Sequence, residues 1–313
     1  MNTAILAAGL GTRLRPLTFS VPKALLPVLN RPLLGLWLER LQAAGCSRAA
    51  VNAHHLGDLV RRFLEDQPTG LFLSLSQEPQ LLGTGGGLRR LGEILGPEPF
   101  LAVNGDTLTD LDLGALYRSH REGAVATLML HDCPPHNHVW VNNGLVVSIG
   151  AAESRALGPP LAYTGIQVVG PEMLEFLPSE RPYDLVAAWR EALAAGARLA
   201  AAVVSGHFWE DLGTPGGYLA AHRRLQAGAA PGLASLFPNL TDPVIGPGAA
   251  LGPGVEFGAA VCLGAGVRVG AQASLTGTVV WDGAEIAPGV RLQDCIVGAG
   301  ARVTQSARGQ VLV

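Results

Sequence analysis

Hydrophobic positions in the first two thirds of the chain switch repeatedly between short apolar runs and helical spacing. Residues 4–8 form an apolar run that breaks into glycines, the signal of a strand entering a turn. Residues 33–44 carry Leu34, Trp37, Leu38 and Leu41 at the spacing of one helix face, and Gly45 follows as a stop. Residues 49–53 predict a strand, 56–64 a helix with Asp58, Arg61 and Arg62 on its polar side, and 71–76 an alternating strand. This βαβαβ order predicts an α/β fold: a Rossmann-like mixed, mostly parallel sheet with helices on both faces. The pattern continues with a helix over 88–95, a strand over 100–103, a helix over 113–122 and a strand over 124–130. Asn142-Asn143-Gly144 between alternating runs at 139–141 and 145–149 predicts a tight hairpin. Helices over 171–177 and 184–195 and a strand over 199–204 come next. Thr214 as cap and Pro215 at the first helical position then open another helix.

From Asp242 the period changes. Ile245, Leu251, Phe257, Leu263, Val269 and Leu275 recur every six residues, and all but the last are followed by glycine. The spacing slips near Val280-Trp281 and resumes through Ile286, Leu292, Val297 and Val303. A hexapeptide repeat of this kind predicts a short left-handed parallel β-helix of three to four coils. The Gly-, Ala- and Pro-rich stretch before it reads as a linker, so the expected division is 1–228, 229–241 and 242–305.

Composition removes several function classes. The 313 residues carry a net charge of −3, which offers no basic field to a nucleic-acid backbone. No long charge-free apolar stretch predicts a membrane span; Arg190, Glu191 and Arg198 interrupt the closest, 185–204. The start of the chain shows no signal-peptide pattern. Cys46, Cys133, Cys262 and Cys295 lie far apart, as expected of reduced thiols in a cytoplasmic protein. His131, His136 and His138 are close together, but their spacing matches no zinc pattern.

The densest candidate chemistry follows the first strand. Gly9 and Gly11 permit positive φ and close approach of the backbone to a ligand, and backbone N–H groups in such a turn make an anion site. Arg13, Arg15 and Lys23 bring positive charge to the same segment. A dinucleotide fingerprint is excluded because Leu14 stands where its third glycine belongs, and a P-loop is excluded because the chain has no Gly-Lys pair. The run Gly9 to Lys23 reads G-x-G-T-R-x-x-P-L-T-x-x-x-P-K and resembles the signature of the sugar nucleotidyltransferases. Within that family the chain resembles the mannose-1-phosphate guanylyltransferase and N-acetylmuramate-1-phosphate uridylyltransferase branches.

The resemblance implies a nucleotide site of Leu6, Ala8, Gly9, Gly11, Thr12, Arg13, Glu78, Gly83, Thr84, Gly85, Asn104, Gly105 and Asp106. It implies a sugar-phosphate site of Lys23, Glu153, Arg155, Thr164, Gly165 and Asp211, with Arg13, Lys23, Asp106 and Asp211 catalytic. Asp106 and Asp211 are the implied Mg²⁺ ligands, from the Gly-Asp after a strand and from Trp209-Glu210-Asp211-Leu212-Gly213-Thr214-Pro215. The family's usual Glu-Lys-Pro is absent: Ser154 replaces the lysine, leaving Arg155 as a candidate substitute. The implied reaction joins a nucleoside triphosphate and a sugar 1-phosphate into an NDP-sugar and pyrophosphate. Glu78 falls where the family reads the base. A carboxylate only accepts hydrogen bonds and guanine offers it two donors, so GTP is expected, with UTP next. The β-helix is expected to serve oligomerisation or regulation. An acyltransferase is disfavoured because the last histidine, His222, precedes the repeat, and a silent regulatory subunit because all four charged residues are present.

Overall fold

The computed structural model describes residues 1–134, 136–150, 158–179 and 181–313. In chain order, β1 (Asn2–Leu6) leads to β2 (Pro27–Val28), β3 (Arg31–Pro32), α1 (Leu33–Ala43), β4 (Arg48–Ala53), α2 (Gly57–Glu65), β5 (Phe72–Gln77) and α3 (Gly83–Leu95). Then come β6 (Phe100–Asn104), β7 (Thr107–Thr109), α4 (Leu113–Arg118), β8 (Ala126–His131), β9 (Val139–Asn142), β10 (Leu145–Ile149) and β11 (Ala162–Val169). They are followed by α5 (Leu185–Ala194), β12 (Leu199–Val203), β13 (Trp209–Asp211) and α6 (Pro215–Gln226). Two compact units result, each drawn from separate stretches of chain.

The first unit comprises residues 1–10, 37–105 and 111–207. Its nine-stranded sheet has the order β5-β4-β1-β6-β11-β8-β12-β10-β9. β1 runs parallel to β4 and β6, with Ile5 beside Val51 and Val103. β11 runs antiparallel to both β6 and β8, and β12 parallel to β8. Only β10 and β11 therefore oppose the other strands, the mixed, mostly parallel sheet the sequence predicts. Central strands of such a sheet are covered on both faces and read as continuous apolar runs; Phe100, Leu101, Ala102 and Val103 are all buried. The predicted hairpin is present: Asn142 pairs with Leu145, and Asn143 and Gly144 both take positive φ, as a type I′ turn requires.

Two helices differ from the periodicity. α3 begins at Gly83 rather than 88, so the glycine run is the helix's own first turn. Close packing explains it. A Cβ on Gly86 would stand 2.7 Å from the Arg181 carbonyl oxygen, and one on Gly87 2.5 Å from Asn52 Nδ2. α4 stops at Arg118 rather than 122, where Ser119 Oγ donates to the Leu116 carbonyl.

The second unit comprises residues 11–36, 106–110 and 208–313. Beyond residue 243 it is a stack of short parallel strands on three faces. The first face holds Val244–Ile245, Cys262–Leu263, Val279–Val280, Ile296–Val297 and Val311–Leu312. The second holds Ala250–Leu251, Arg268–Val269, Glu285–Ile286 and Arg302–Val303. The third holds Glu256–Phe257, Ser274–Thr276, Arg291–Gln293 and Ala307–Arg308. This is the β-helix architecture that the repeat predicts. Leu263, Val269, Leu275, Val280, Ile286, Leu292, Val297 and Val303 fill its interior. The slip in the repeat has a structural cause: the corners at Gly277 and Asp294 are one residue shorter, and both residues take positive φ.

A buried hydrogen-bonded seam ties this β-helix to the rest of its unit. Tyr218 on α6 donates its hydroxyl to the Pro27 carbonyl and accepts from Trp281 Nε1 at 3.0 Å. His222 Nε2 accepts from the Leu29 N–H at 3.1 Å while Nδ1 donates to the Tyr218 carbonyl at 2.9 Å. Asn30 Nδ2 donates to the Leu263 carbonyl at 2.7 Å. Both His222 nitrogens are thus engaged, and burial lowers its pKa to about 4.

Candidate active site

Four charged side chains from three distant stretches gather within the second unit. After β1 the chain enters the turn at Gly11, which takes a φ of +61°. A Cβ there would lie 2.7 Å from Thr18 Cγ2, and Thr18 Oγ1 donates to the Gly11 carbonyl at 2.8 Å. Gly9 keeps ordinary φ, so only Gly11 needs glycine's conformational freedom; a Cβ on Gly9 would meet open space. The turn delivers Thr12 and Arg13 into a short 3₁₀ segment, Thr12–Leu14, and a second such segment, Lys23–Leu25, starts at Lys23. Opposite them, β7 and β13 pair antiparallel, Thr107 facing Asp211, and the Leu212 N–H donates to the Asp106 carbonyl at 3.0 Å.

Within this frame Lys23 Nζ donates to Asp106 Oδ2, and Arg13 Nη2 lies 3.5 Å from Asp211 Oδ2. The other Asp211 oxygen accepts from the Gly213 N–H at 2.8 Å. Gly213 is the hub of the cluster. A Cβ on it would stand 2.5 Å from Arg13 Nη2, 2.7 Å from Asp211 Oδ1 and 2.8 Å from Lys23 Nζ. The Arg13 side chain is 61% exposed and that of Asp211 33%, whereas Lys23 is 9% exposed as a residue. The cluster therefore has one buried cation and a wet side where a phosphate can replace a carboxylate as partner.

The carboxylates also set what metal could enter. Hard oxygen donors suit Mg²⁺, which is usually held by one or two carboxylates together with substrate phosphates. Among the described residues no group of three or more His, Cys, Asp or Glu side chains converges to hold a metal. Asp106 and Asp211 thus fit an Mg²⁺ shared with phosphates, and not a cage built from protein alone.

Glu78, in the first unit, has a different environment. It is 2% exposed, its Oε1 accepts from Asn52 Nδ2 at 2.7 Å, and its Oε2 accepts from the Leu82 N–H at 3.0 Å. Asn52 Oδ1 in turn accepts from the Ala7 N–H at 2.7 Å. The chain Ala7–Asn52–Glu78–Leu82 braces the end of β1 against the start of α3. Each oxygen of this buried carboxylate thus holds one protein donor, which fixes the side chain in place. Asn52 was not legible as the partner of Glu78, because nothing in its sequence context shows which side chain it will meet.

The remaining expected residues are placed as follows. Leu6 closes β1 and Ala8 is buried just beyond it. Gly105 donates its N–H to the Leu6 carbonyl at 2.8 Å. The Gly85 N–H goes to the Tyr183 carbonyl at 2.9 Å, and Thr84 Oγ1 accepts from the Leu185 N–H at 3.1 Å. A Cβ on Gly83 would lie 2.7 Å from the Tyr183 carbonyl oxygen. The run 83–85, expected to aim N–H groups at a ligand, thus docks in part on residues 183–185. Thr164 is buried and donates to the Met129 carbonyl at 3.0 Å, while Gly165, at φ +84°, packs beside Asn104. Glu153 and Arg155 lie outside the described residues. Of the three expected histidines, His131 is buried and stacks on His207 with ring centroids 5.2 Å apart; burial lowers its pKa to about 4. All four cysteines are free thiols.

Comparison with known proteins identifies the family. The nucleotidyl transferase family model matches residues 2–228. The UTP–glucose-1-phosphate uridylyltransferase of Synechocystis is 33% identical over 206 residues, 59% of this chain, and the match spans about half (53%) of that protein's length. The N-acetylmuramate alpha-1-phosphate uridylyltransferase of Neisseria meningitidis is 39% identical over 180 residues, 56% of this chain and 78% of that one. The mannose-1-phosphate guanylyltransferase of Mycobacterium tuberculosis is 29% identical over 309 residues, 97% of this chain and 81% of that one. The crystal structure of HddC from Yersinia pseudotuberculosis shares the fold, with a TM-score of 0.57 and 21% identity over 70% of this chain and 97% of that one. No described helix is long and apolar enough to cross a membrane. The family match over most of the chain, together with these relatives, shows that the chain belongs to the nucleotidyl transferase family, among its sugar nucleotidyltransferases.

Proposed function

We propose that this chain makes an NDP-sugar and pyrophosphate from a nucleoside triphosphate and a sugar 1-phosphate. The observation that carries the reading is the convergence of Arg13, Lys23, Asp106 and Asp211 around Gly213. Both reactants are polyanions, so the first task is to hold them together and in line. Arg13, exposed and loosely paired, is free to turn from Asp211 to the β- and γ-phosphates and to stabilise the departing pyrophosphate. Lys23, nearly buried, remains as a fixed point charge for the α-phosphate or the sugar phosphate. A sugar-phosphate oxygen attacks the α-phosphorus, and the bond to the bridging oxygen of the β-phosphate breaks. The nucleophile is already an anion, so no side chain has to take a proton. Mg²⁺, when held by Asp106 and Asp211, would supply charge neutralisation between the phosphates.

For the base we favour uridine. The guanine preference rests on a free Glu78 carboxylate, and that side chain is committed to Asn52 and Leu82. The more similar of the relatives described above are uridylyltransferases. A pyrophosphate-release assay crossing UTP, GTP and dTTP with glucose, mannose and N-acetylmuramate 1-phosphates tests both parts. The expected result is turnover with UTP at least about tenfold above GTP. Faster turnover with GTP overturns the base assignment, and none with any pair overturns the function. Arg13→Ala is expected to lower kcat/KM by at least about 10²-fold.

We further propose that residues 1–228 form the transferase region and 242–305 a β-helix serving self-association, to be checked by light scattering. The acyltransferase alternative finds no support, since His222 has both ring nitrogens bonded inside the fold.

A further inference from the structure

Two faces of the β-helix each carry two outward arginines, in one ladder column on the first face and in two columns on the second, and their pairing differs. On the face built from Ala250–Leu251, Arg268–Val269, Glu285–Ile286 and Arg302–Val303, Glu285 pairs with Arg268 on one neighbouring strand at 2.7 Å and Arg302 on the other at 3.8 Å. Both arginines of that face thus share one carboxylate partner. On the next face the outward columns are Ser274–Arg291 with Ser306 beyond, and Thr276–Gln293–Arg308. Arg291 and Arg308 are exposed, and among the described residues neither has a carboxylate partner. The nearest candidates are committed or distant. Asp294, beside Gln293, pairs with Arg223 at 3.0 Å. Glu256 heads the Arg291 column two strands away, about 9–10 Å at ordinary strand spacing.

Between these columns lies an open cleft of about 430 Å³, lined by Arg291, Arg308, Ser274, Thr276, Ser306 and Gln293 over a floor of Leu292 and Ala307. Ser306 Oγ already accepts from the Arg291 N–H at 2.9 Å, which leaves its hydroxyl proton to donate outward. A cleft whose polar lining includes two forked cations without carboxylate partners, and no acid, has the chemistry of an oxyanion site. We propose that this face of the β-helix binds a small phosphate-bearing ligand, its phosphate held between Arg291 and Arg308. The site is separate from the Arg13–Lys23–Asp106–Asp211 cluster and requires none of its residues.

The test is calorimetric titration of the full chain with inorganic phosphate and with pyrophosphate. It compares wild type with the Arg291→Gln/Arg308→Gln double variant, with Arg13→Ala, and with Arg268→Gln from the face whose arginines are paired. The expected result is a binding event that survives Arg13→Ala and Arg268→Gln and weakens by about tenfold or more in the double variant, since each lost contact is a charge-assisted hydrogen bond. The four side chains exchanged are exposed, so the variants should melt with wild type. Arg291→Lys/Arg308→Lys, which keeps the charge, should recover part of the affinity. Inorganic phosphate binding as well as pyrophosphate identifies a single phosphate as the recognised group; pyrophosphate alone identifies a diphosphate. Isotherms identical in wild type and double variant, or an event abolished by Arg13→Ala alone, overturn the proposal. So does binding of polyaspartate with neither phosphate probe, which would make the face a protein-docking surface.

Discussion

Asp211 and Glu78 are both carboxylates expected to touch a nucleotide sugar or its precursors, and they have opposite surroundings. Asp211 is one third exposed, faces an exposed guanidinium at 3.5 Å and shares a cluster with Lys23 and Asp106. Glu78 is sealed from water and satisfied by two neutral N–H donors. An ion pair at a wet edge contributes little to stability and can exchange its partner for a ligand. A buried carboxylate with fixed donors exchanges them only by leaving charge and N–H groups stranded, so its replacement is expected to be felt in the fold. The type of partner and the access of water, more than the residue type, separate a chemical group from a brace.

This contrast can be broken most directly at Asp211. Asp211→Asn is expected to lower kcat/KM by at least about 10²-fold, the scale of one preorganised electrostatic contact. Its stability should stay within about 0.5 kcal/mol, because the pair is partly solvated. Steady-state kinetics beside urea unfolding measures both, and a large loss of stability would place Asp211 with Glu78. Gly213→Ala comes next. The three atoms nearest the added methyl are all side-chain ends, closer than 3.0 Å, so those ends must move. Displacement of that size is expected to cost about 10²-fold in kcat/KM with less than about 1 kcal/mol in unfolding.

Glu78→Gln should show the reverse pattern. The amide places an NH₂ against either Asn52 Nδ2 or the Leu82 N–H, at a cost of about 2 kcal/mol in urea unfolding. The base preference of the folded enzyme should be retained. A switch in that preference without loss of stability would return Glu78 to the role of base reader.

The smallest effect is pH-dependent and lies in the seam of the second unit. His222 has a folded pKa of about 4 against an ordinary 6.5, because burial disfavours the imidazolium. Between those values the unfolded chain binds more protons, so stability is complete above 6.5 and falls as pH drops toward 4. At pH 5 this amounts to about 2 kcal/mol. His131, lowered to about 4 for the same reason, acts in the same direction. Thermal unfolding from pH 7.5 to 4.5 should fall less steeply in His222→Gln than in wild type.

Much of the fold was legible because its signals are local. Asn143-Gly144 specifies a hairpin through positive φ at two adjacent positions, and the six-residue period specifies a coil because each apolar corner must stack on the next. The beginning of α3 was not legible. A glycine run reads as a loop unless one knows that Arg181 and Asn52 press against it too closely to admit a Cβ. In the site, the loop motif marked Arg13 and Lys23, and the strand-end aspartates marked Asp106 and Asp211. That Arg13 meets Asp211 and Lys23 meets Asp106 could not be read, since the partners stand 198 and 83 residues apart.

The sequence by itself determined the alternation of strands and helices through the first 130 residues, the β-helix, and the charged loop that marks a nucleotidyltransferase; the strands Thr107–Thr109 and Ala162–Val169 were not read from it. Periodicity and turn chemistry are properties of neighbouring residues, and the motif is a continuous run. Only the tertiary structure decided which charges are exposed and exchangeable, and that the segment bearing Arg13 and Lys23 packs in one unit with α6 and the β-helix. Burial and ion pairing are set by residues far away along the chain, so a carboxylate's role is fixed when the surfaces around it close.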